Sequence, residues 1–197
     1  MTVTATKEPA TRRTVLQGAP PFTVDDLLTF PDDGNRYELF DGSLLVSPPP
    51  TPMHQYAILR LVRILEDAAP PELEPLPTVN LRVGPCDFFI PDLVVVLAET
   101  TERTELMFTP DDILLAVEMV SPSTQARDRH LKRAAYAAAG IPAYWRIELS
   151  EGPSLHVHEL AGEEYKPAER HEAGEVATLF APFEVEFDPA VLLRPRS

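Results

Sequence analysis

The stretch ILLAVEMVSPSTQARDRHLKRAAYAAAGIPAYWRIEL, residues 113–149, decides the fold of this chain. Residues 113–120 are nearly all apolar, as expected of a strand that is covered on both faces. A helix should follow and end at Gly140, because glycine readily terminates a helix and the proline two residues later prevents a restart. Residues 144–149 return as a strand. Such a strand–helix–strand unit implies two parallel strands joined by a right-handed crossover.

Nearer the N-terminus, the pair Asp41-Gly42 separates two segments that alternate in polarity, residues 36–40 and 43–47. An Asp-Gly pair in this setting is a strong signal for a β-hairpin, because glycine tolerates a positive φ. The hairpin adds antiparallel strands to the parallel pair. The sequence therefore predicts an α/β protein with a mixed β-sheet flanked by α-helices.

Two further helices have recognisable starts. Thr23 precedes Asp26 by three residues, which is the spacing of a capping box, and predicts a short helix. Thr51 is a good N-cap for a longer helix, since Pro52 at the first helical position loses no hydrogen bond. Apolar residues then recur at helical spacing, and the helix should end before Pro70.

The other strands are predicted from apolar or alternating runs, and those after residue 150 should be antiparallel additions with acidic outer faces. They are residues 76–83, 88–97, 155–160 and 176–187. Pro91 interrupts the second of these runs and indicates a bulge or a strand edge. Residues 98–112 are polar and are predicted to form a loop.

The chain of 197 residues suits one domain, predicted here to span residues 21–197 after a disordered N-terminal tail at residues 1–20. The single cysteine, Cys86, excludes an internal disulfide. No apolar run approaches the ~20 residues that a membrane span requires, and no secretory leader is recognisable. These features predict a cytoplasmic protein without a membrane partner.

The net charge of −14 is unusual for a protein that binds nucleic acid, because neutralising phosphates requires lysine and arginine. The charge is uneven, however. Residues 120–147 contain five basic residues and one acidic residue, a balance of +4, whereas residues 151–188 contain ten acidic and two basic residues, a balance of −8. This distribution argues against tight binding to long duplex DNA and favours weak or structure-selective binding.

Glu118 is the only charged residue in the run from Ile113 to Val120. Ionised carboxylates are rarely buried unless they are paired or bind a metal. Strand alternation puts Glu118 on one face with Ala116 and Val120. The alternative is a glutamate at a strand end that simply meets solvent or an arginine.

Asp92 follows Pro91 between two apolar runs. Alone it could be a turn residue whose carboxylate binds local backbone N–H groups. Together with Glu118 it forms the kind of carboxylate pair that holds a hard divalent cation along with water and substrate oxygens. Carboxylates at strand ends with a nearby ammonium suit metal-dependent hydrolysis of a phosphodiester.

Lys132 lies on the helix that follows the Glu118 strand and would supply that ammonium. Its simpler interpretation is a surface ion pair with Asp128, four residues earlier. Glu38, in the first hairpin strand, is either a third acidic group or an outward-facing residue. His54 lies near a helix N-terminus, where a structural role is favoured over contact with substrate.

Three segments of the chain resemble the Uma2 family, a branch of the PD-(D/E)XK restriction-endonuclease-like superfamily. They are YELFDGSLLVSPPPTPMHQ (37–55), IPDLVVV (90–96) and LLAVEMVSPSTQARDRHLKRAAYAAAGIPAYW (114–145). Together with looser similarity in the C-terminal strands, the resemblance covers most of residues 22–190.

The resemblance implies a restriction-endonuclease-like sheet flanked by helices, with metal ligands at Asp92 and Glu118. The usual superfamily pattern has a lysine two residues after the acidic residue, a position that Val120 occupies here. In Uma2-like proteins the lysine has moved to the following helix, which points to Lys132. Glu38 would complete the acidic cluster from the first hairpin.

The working hypothesis is an endonuclease whose Asp92, Glu118 and Met119 carbonyl bind Mg²⁺ or Mn²⁺. Lys132 would orient the attacking water or stabilise the developing anion, and Glu38 would position water or a second ion. The expected partner is nucleic acid, with DNA ahead of RNA or a nucleotide, and a homodimer is expected because many nucleases pair to cut two strands. The alternative is a catalytically inactive interaction or regulatory protein, favoured by the net charge and by Val120.

Overall fold

A computed structural model describes residues 18–47, 49–120, 128–149 and 152–193 of the chain. Nearly all of the predicted disordered tail at residues 1–20 lies outside this part, and the tail stays a prediction. The helices are α1 (Val24–Leu27), α2 (Pro52–Ala68), α3 (Ala98–Arg103) and α4 (Asp128–Ala138), with 3-10 turns at Pro110–Asp112 and Pro189–Leu192.

The strands fall into two sheets and one separate hairpin. They are β1 (Arg36–Phe40), β2 (Ser43–Ser47), β3 (Leu73–Pro77), β4 (Leu81–Arg82), β5 (Phe88–Phe89), β6 (Leu93–Leu97), β7 (Ile113–Val120), β8 (Ala143–Glu148), β9 (Ser154–Ala161), β10 (Glu164–Tyr165), β11 (Glu169–Glu172), β12 (Ala177–Leu179) and β13 (Val185–Phe187).

The larger sheet has the order β10-β9-β8-β7-β6-β3, and β11 also pairs with β9. Strands β7 and β8 are parallel, with Glu118 opposite Arg146, which confirms the predicted strand–helix–strand unit. The neighbouring pairs β6–β7 and β8–β9 are antiparallel, so the sheet is mixed. The predicted antiparallel C-terminal strands are present as β9 to β13, and the fold class is confirmed.

The smaller sheet has the order β2-β1-β5-β4. Its hairpin β1–β2 turns at Asp41-Gly42, where both residues have positive φ (47° and 69°), as the Asp-Gly signal predicts. The hairpin does not join the larger sheet, however. It pairs with β5 instead, through Leu39 opposite Phe88.

Two predicted strands are wrong because the chain crosses between the sheets within each of them. Residues 76–83 divide into the end of β3 and the short β4, separated by Thr78 at φ 55°. Residues 88–97 divide into β5 and β6 on either side of Pro91. Proline cannot donate a ladder hydrogen bond, so this is where the pairing changes from one sheet to the other.

The predicted loop at residues 98–112 is also partly wrong, because it begins with α3 and ends in a 3-10 turn. Only Thr100 is buried in α3, so this short helix has no apolar period that could reveal it. The predicted strand at residues 176–187 is a hairpin, β12–β13. The two predicted N-caps, Thr23 and Thr51, are confirmed, because each side chain accepts a hydrogen bond from a backbone N–H of the first helical turn.

The larger sheet separates two apolar cores. One core packs α2 and the β12–β13 hairpin against alternate residues of the sheet, including Leu115, Val117 and Met119. The other packs α4 against the opposite face, which includes Ala116 and Tyr144. Because successive strand residues point to opposite faces, Glu118 lies on the α4 side and Met119 on the α2 side. The C-terminal end of β7 therefore offers side chains to both helices.

Candidate active site

Lys132 is the centre of a buried polar cluster. Its Nζ atom lies 2.8 Å from Oε1 of Glu38 and 3.0 Å from Oε1 of Glu118. The four residues predicted to form the site are all buried, with 4% to 8% of each residue exposed. They are Glu38, Asp92, Glu118 and Lys132. The surface interpretation of Lys132 is therefore wrong, because its ammonium joins two interior carboxylates.

Helix α4 presents two side chains to Glu118. Lys132 and Tyr136 are four residues apart and so lie on the same face of the helix. The Tyr136 hydroxyl donates a hydrogen bond to Oε1 of Glu118 over 2.7 Å, beside the contact from Lys132. A buried carboxylate requires a charged or hydrogen-bonding partner, and α4 supplies both to Glu118.

Glu38 reaches the cluster from the smaller sheet. The backbone N–H of Ile90, in the segment that leads from β5 to β6, donates to Oε1 of Glu38 over 2.7 Å. The same oxygen contacts Lys132. Glu38 is thus an inward-facing member of the acidic cluster, as the first of its two interpretations predicts.

Asp92 lies at the crossing between the two sheets, directly before β6. Its Oδ2 accepts a hydrogen bond from the backbone N–H of Met119 over 2.9 Å. Arg36 contacts Oδ1 at 3.4 Å and donates to the carbonyl of Ile90 at 2.6 Å. The simple local-turn interpretation of Asp92 is therefore wrong, since its carboxylate accepts a hydrogen bond from a backbone N–H that lies 27 positions away in β7.

His54 completes this part of the cluster from the N-terminal end of α2. Its Nε2 atom lies 3.2 Å from Oδ2 of Asp92 and 3.1 Å from the carbonyl oxygen of Met119. Its backbone N–H also bonds to Thr51, so the structural role favoured from the sequence is present as well. The ring, however, belongs to the candidate site.

Sequence reasoning missed Arg36 and Tyr136 as members of the cluster, and for His54 it favoured a structural role over contact with substrate. The only available signal for His54 was its position on the first turn of a helix. Tyr136 is spaced one helical turn from Lys132, but an aromatic residue on an apolar helix face is normally a core residue. Arg36 had no signal at all, because its contacts depend on how the two sheets meet.

The electrostatics of the cluster follow from burial and from unequal numbers of charges. Burial, together with the charges of Asp92 and Glu38, raises the pKa of Glu118 to about 7 although Lys132 opposes this shift. Burial lowers the pKa of Lys132, but the charges of Glu118 and Glu38 outweigh it and hold that pKa above its ordinary value. The ammonium therefore stays protonated at neutral pH.

The other half of the cluster shows the opposite balance. Burial raises the pKa of Asp92, but the hydrogen bond and charge of His54, with the charge of Lys132, hold it below its ordinary value. Burial lowers the pKa of His54, yet its hydrogen bond to Asp92 holds that pKa above the ordinary value. Asp92 is thus an anion stabilised by the basic groups around it.

The oxygen atoms that could hold a cation are those of Asp92, Glu118 and the Met119 carbonyl. Carboxylates and carbonyls are the donors that hard divalent cations prefer. Within residues 18–47, 49–120, 128–149 and 152–193, no group of three or more His, Cys, Asp and Glu side chains is arranged to hold a metal ion. A cation here would thus rely on a backbone carbonyl in addition to side chains.

Among the residues described, no helix is both long enough and apolar enough to cross a membrane.

Residues 24–192 match the family model described as "Uma2: Putative restriction endonuclease". No functionally curated protein matches the chain.

One solved structure with a similar fold is described as a putative nuclease belonging to DUF820 from Anabaena variabilis ATCC 29413. The two chains superpose with a TM-score of 0.67 at 17% sequence identity, over 81% of this chain and 88% of the other. At this identity the likeness shows a shared fold.

Proposed function

Because the chain belongs to the Uma2 family, described as putative restriction endonucleases, we propose that it is a divalent-metal-dependent endonuclease that hydrolyses phosphodiester bonds of DNA. The observation that carries this proposal is the position of Lys132. The restriction-endonuclease-like pattern requires an ammonium beside the acidic residues. The position at which that pattern usually has the lysine is occupied by Val120 in this sequence. In this proposal the ammonium comes from Lys132 of α4, whose Nζ atom lies 3.0 Å from Glu118.

The residues of the cluster fit a divalent cation. Three buried carboxylates face the Lys132 ammonium and the Arg36 guanidinium, and Asp92 also contacts the His54 imidazole. Burial, together with the charges of Asp92 and Glu38, raises the pKa of Glu118 to about 7, and a bound cation would stabilise its ionised form. Asp92, Glu118 and the Met119 carbonyl would hold Mg²⁺ or Mn²⁺, which when bound polarises a phosphoryl oxygen and lowers the pKa of water.

Lys132 has a separate role in this proposal. Its pKa lies above the ordinary value, so at neutral pH the ammonium has no lone pair with which to act as a general base. It instead donates hydrogen bonds and stabilises the negative charge that develops on the phosphoryl group. Glu38 contacts the ammonium over 2.8 Å and would hold it beside Glu118.

The charge of the chain bears on the substrate. A net charge of −14 disfavours extended contacts with the phosphates of long duplex DNA. Weak or structure-selective binding is the form of recognition that this charge allows. We propose a homodimer as the working assembly, because cutting two antiparallel strands suits two symmetric sites. Light scattering after size exclusion, with and without DNA, would measure the assembly directly.

The test is cleavage of supercoiled plasmid, branched and single-stranded oligonucleotides and RNA in Mn²⁺ or Mg²⁺. Asp92→Asn and Lys132→Met should each lower the cleavage rate about 100-fold or more, the effect typical of losing one charge-stabilising group. Lys166→Met is the matched control, because Lys166 also pairs with a glutamate at 3.0 Å but on the surface.

Equal cleavage by all four proteins would mean that the activity came from a contaminant, and it would overturn the proposal. Mn²⁺ binding without cleavage of any of these substrates would favour the inactive interaction or regulatory protein instead. The Val120 substitution at the usual lysine position is the observation that favours this second function.

A further inference from the structure

Strand β2 is an unprotected edge of the smaller sheet. It lies at one end of the strand order β2-β1-β5-β4. The other end is covered, because the backbone N–H of Arg82 in β4 donates to the carbonyl of Phe108 over 2.9 Å. Edge strands present unpaired N–H and C=O groups, which natural proteins usually protect with charges, prolines or bulges. The strand SLLVS, Ser43–Ser47, contains no charge and no proline, and its register with β1 is continuous.

The edges of the larger sheet do carry such protection. At one end, β3 contains Pro75 and Pro77, which have no N–H to donate to a further strand. At the other end, β10 and β11 pair along β9, and β11 has the sequence ERHE. This contrast marks β2 as the edge that is suited to pairing with another strand.

The backbone groups of Leu44 and Val46 face the open side of β2. In a hairpin with a two-residue turn, the pair that closes the turn is hydrogen-bonded, here Phe40 and Ser43. Bonded and non-bonded pairs then alternate along the antiparallel ladder. Leu45 is therefore bonded to β1, whereas the N–H and C=O groups of Leu44 and Val46 point away from it. Within the described part of the chain, these groups have no other backbone partner.

We propose that β2 pairs antiparallel with β2 of a second copy of the chain, about a twofold axis beside Leu45. The order of residues is self-complementary about this point: Ser43 meets the partner's Ser47, Leu44 meets the partner's Val46, and Leu45 meets the partner's Leu45. Each Leu44–Val46 pair then exchanges both of its N–H···O bonds, because these are the residues whose backbone groups face outwards. The same strand thus supplies both halves of a symmetric contact.

The charge distribution allows this pairing. With a net charge of −14, two copies repel each other across much of their surfaces. Residues 42–59 contain no Asp, Glu, Lys or Arg and form the longest such stretch in the chain. Val46 is also 53% exposed, although it is a large apolar residue. Pairing at β2 would therefore set no like charges opposite each other and would cover an exposed apolar side chain.

The pairing would also bring two polar clusters to one face of a continuous sheet. Leu45 lies opposite Glu38 in the hairpin and so shares its face. Because strands lie about 4.8 Å apart, the Cα atoms of Glu38 and the partner's Glu38, separated by three strand spacings, would be about 14 Å from each other. The use of this dimer to cut two strands rests on the proposed function, whereas the strand pairing itself does not.

The first measurement is the oligomeric state of the unaltered chain. Two short strands cover less area than the ~1,200 Å² of a stable interface, so the dimer should form at high concentration and dissociate on dilution. Sedimentation equilibrium at concentrations from about 1 μM to about 1 mM covers the affinities of weak complexes.

A substitution at Val46 removes the outward donor. Val46→Pro should weaken dimerisation about 10-fold or more, because it removes an N–H from each half of the contact. Proline is tolerated in an edge strand where the N–H faces solvent, so the hairpin should still form. Val46→Thr is the matched control, since it keeps both the donor and the β-branched shape, and it should dimerise like the unaltered protein.

Disulfide cross-linking tests the register without a proline. The chain has one cysteine, so the background is Cys86→Ser. Leu45→Cys would place two thiols directly opposite each other, with Cα atoms at about the 5.5 Å that suits a disulfide. Val46→Cys is the control, because its Cα atoms would lie about 9 Å apart across the axis, beyond the ~7 Å limit. Mild oxidation should therefore give a covalent dimer for Leu45→Cys and none for Val46→Cys.

A monomer at every concentration, no cross-link for Leu45→Cys, equal cross-linking of the two cysteine variants, or full dimerisation of Val46→Pro would each overturn the inference. Cleavage of DNA by the unaltered protein would leave the nuclease proposal standing in all four cases. A dimer with the expected cross-link but no cleavage of any substrate would support the inference and count against the proposed function.

Discussion

The Tyr136 hydroxyl donates a hydrogen bond of 2.7 Å to Oε1 of Glu118, and the Lys132 ammonium donates to the same oxygen. One helix therefore supplies both a neutral and a charged donor to a single carboxylate. Two donors fix the orientation of Glu118 more firmly than either would alone. The Tyr136 ring is also part of the core, where it packs at nearly a right angle to the ring of Phe89.

Tyr136→Phe should destabilise the protein without creating a cavity, because only the hydroxyl is lost. Hydrogen bonds to charged groups typically contribute about 1.5–3 kcal/mol. We expect a loss of that size in the free energy of unfolding, measured by urea denaturation. Tyr165→Phe is the control: its hydroxyl donates to the neutral carbonyl of Ile141 over 2.9 Å, and its removal should cost about 1 kcal/mol. Equal losses would contradict a special role for the Glu118 contact.

Lys132→Met tests the burial of the ion pairs in the metal-free protein. Removing one partner of a buried pair leaves an uncompensated charge, at a cost of about 3–5 kcal/mol. Lys166→Met removes a surface pair of equal length, 3.0 Å to Glu159, and should cost less than about 1 kcal/mol.

A double substitution separates charge from packing at this position. Adding Glu38→Gln to Lys132→Met removes one of the two unpaired carboxylates, and part of the lost stability should return. Chemical denaturation of the unaltered protein, the Lys132→Met and Glu38→Gln single variants and the double variant, in the presence of a chelator, would measure this. No recovery would mean that the lysine stem, and not its charge, stabilises the cluster.

His156 should make the folded state sensitive to mild acid. Burial and the neighbouring Arg146 lower the pKa of His156 to about 4, whereas an unfolded histidine titrates near about 6.5. The unfolded chain therefore takes up this proton first as the pH falls. The stability contributed by the neutral ring is present above about pH 6.5 and is lost as the pH falls towards 4.

His156→Gln should consequently flatten this part of the stability profile. Urea unfolding at intervals between pH 7 and pH 4 should show the variant losing less stability than the unaltered protein. His130→Gln, at an exposed position, should follow the unaltered profile. Parallel curves for His156→Gln and the unaltered protein would contradict the prediction.

Gly42→Ala should damage the β1–β2 turn. Gly42 has φ 69°, and a methyl group there would come 2.5 Å from Cβ of Pro21. Gly34 has φ 83° but no atom within 4 Å of that position in the described part of the chain, so Gly34→Ala should cost only the backbone penalty of about 1–2 kcal/mol. Thermal unfolding should therefore show a larger loss for Gly42→Ala, and equal losses would argue against the contact with Pro21.

Local patterns were sufficient for the central elements. The apolar run of residues 113–120 predicted β7, the Asp-Gly pair predicted the first hairpin, and Thr51 predicted where α2 begins. A charge isolated in an apolar run identified Glu118 because burying it without a partner is costly. The position of Lys132 depended on family resemblance as much as on its helix.

The remaining contacts of the site could not be predicted because they depend on how distant elements meet. Arg36 and Asp92 are 56 positions apart, and His54 and Met119 are 65 apart. No periodicity within either segment encodes such pairs. The break at Pro91 was visible, but the sequence did not indicate that the chain leaves one sheet there and enters another.

Ile90, at that crossing, is hydrogen-bonded at both of its backbone groups to side chains of β1. Its N–H donates to Glu38 and its carbonyl accepts from Arg36. The crossing segment is thus held against β1 by both backbone groups of one residue, and one of these bonds also orients an acidic residue of the cluster. Slow hydrogen–deuterium exchange at the Ile90 amide would report assembly of the buried polar cluster itself, in protein that has never met metal or nucleic acid.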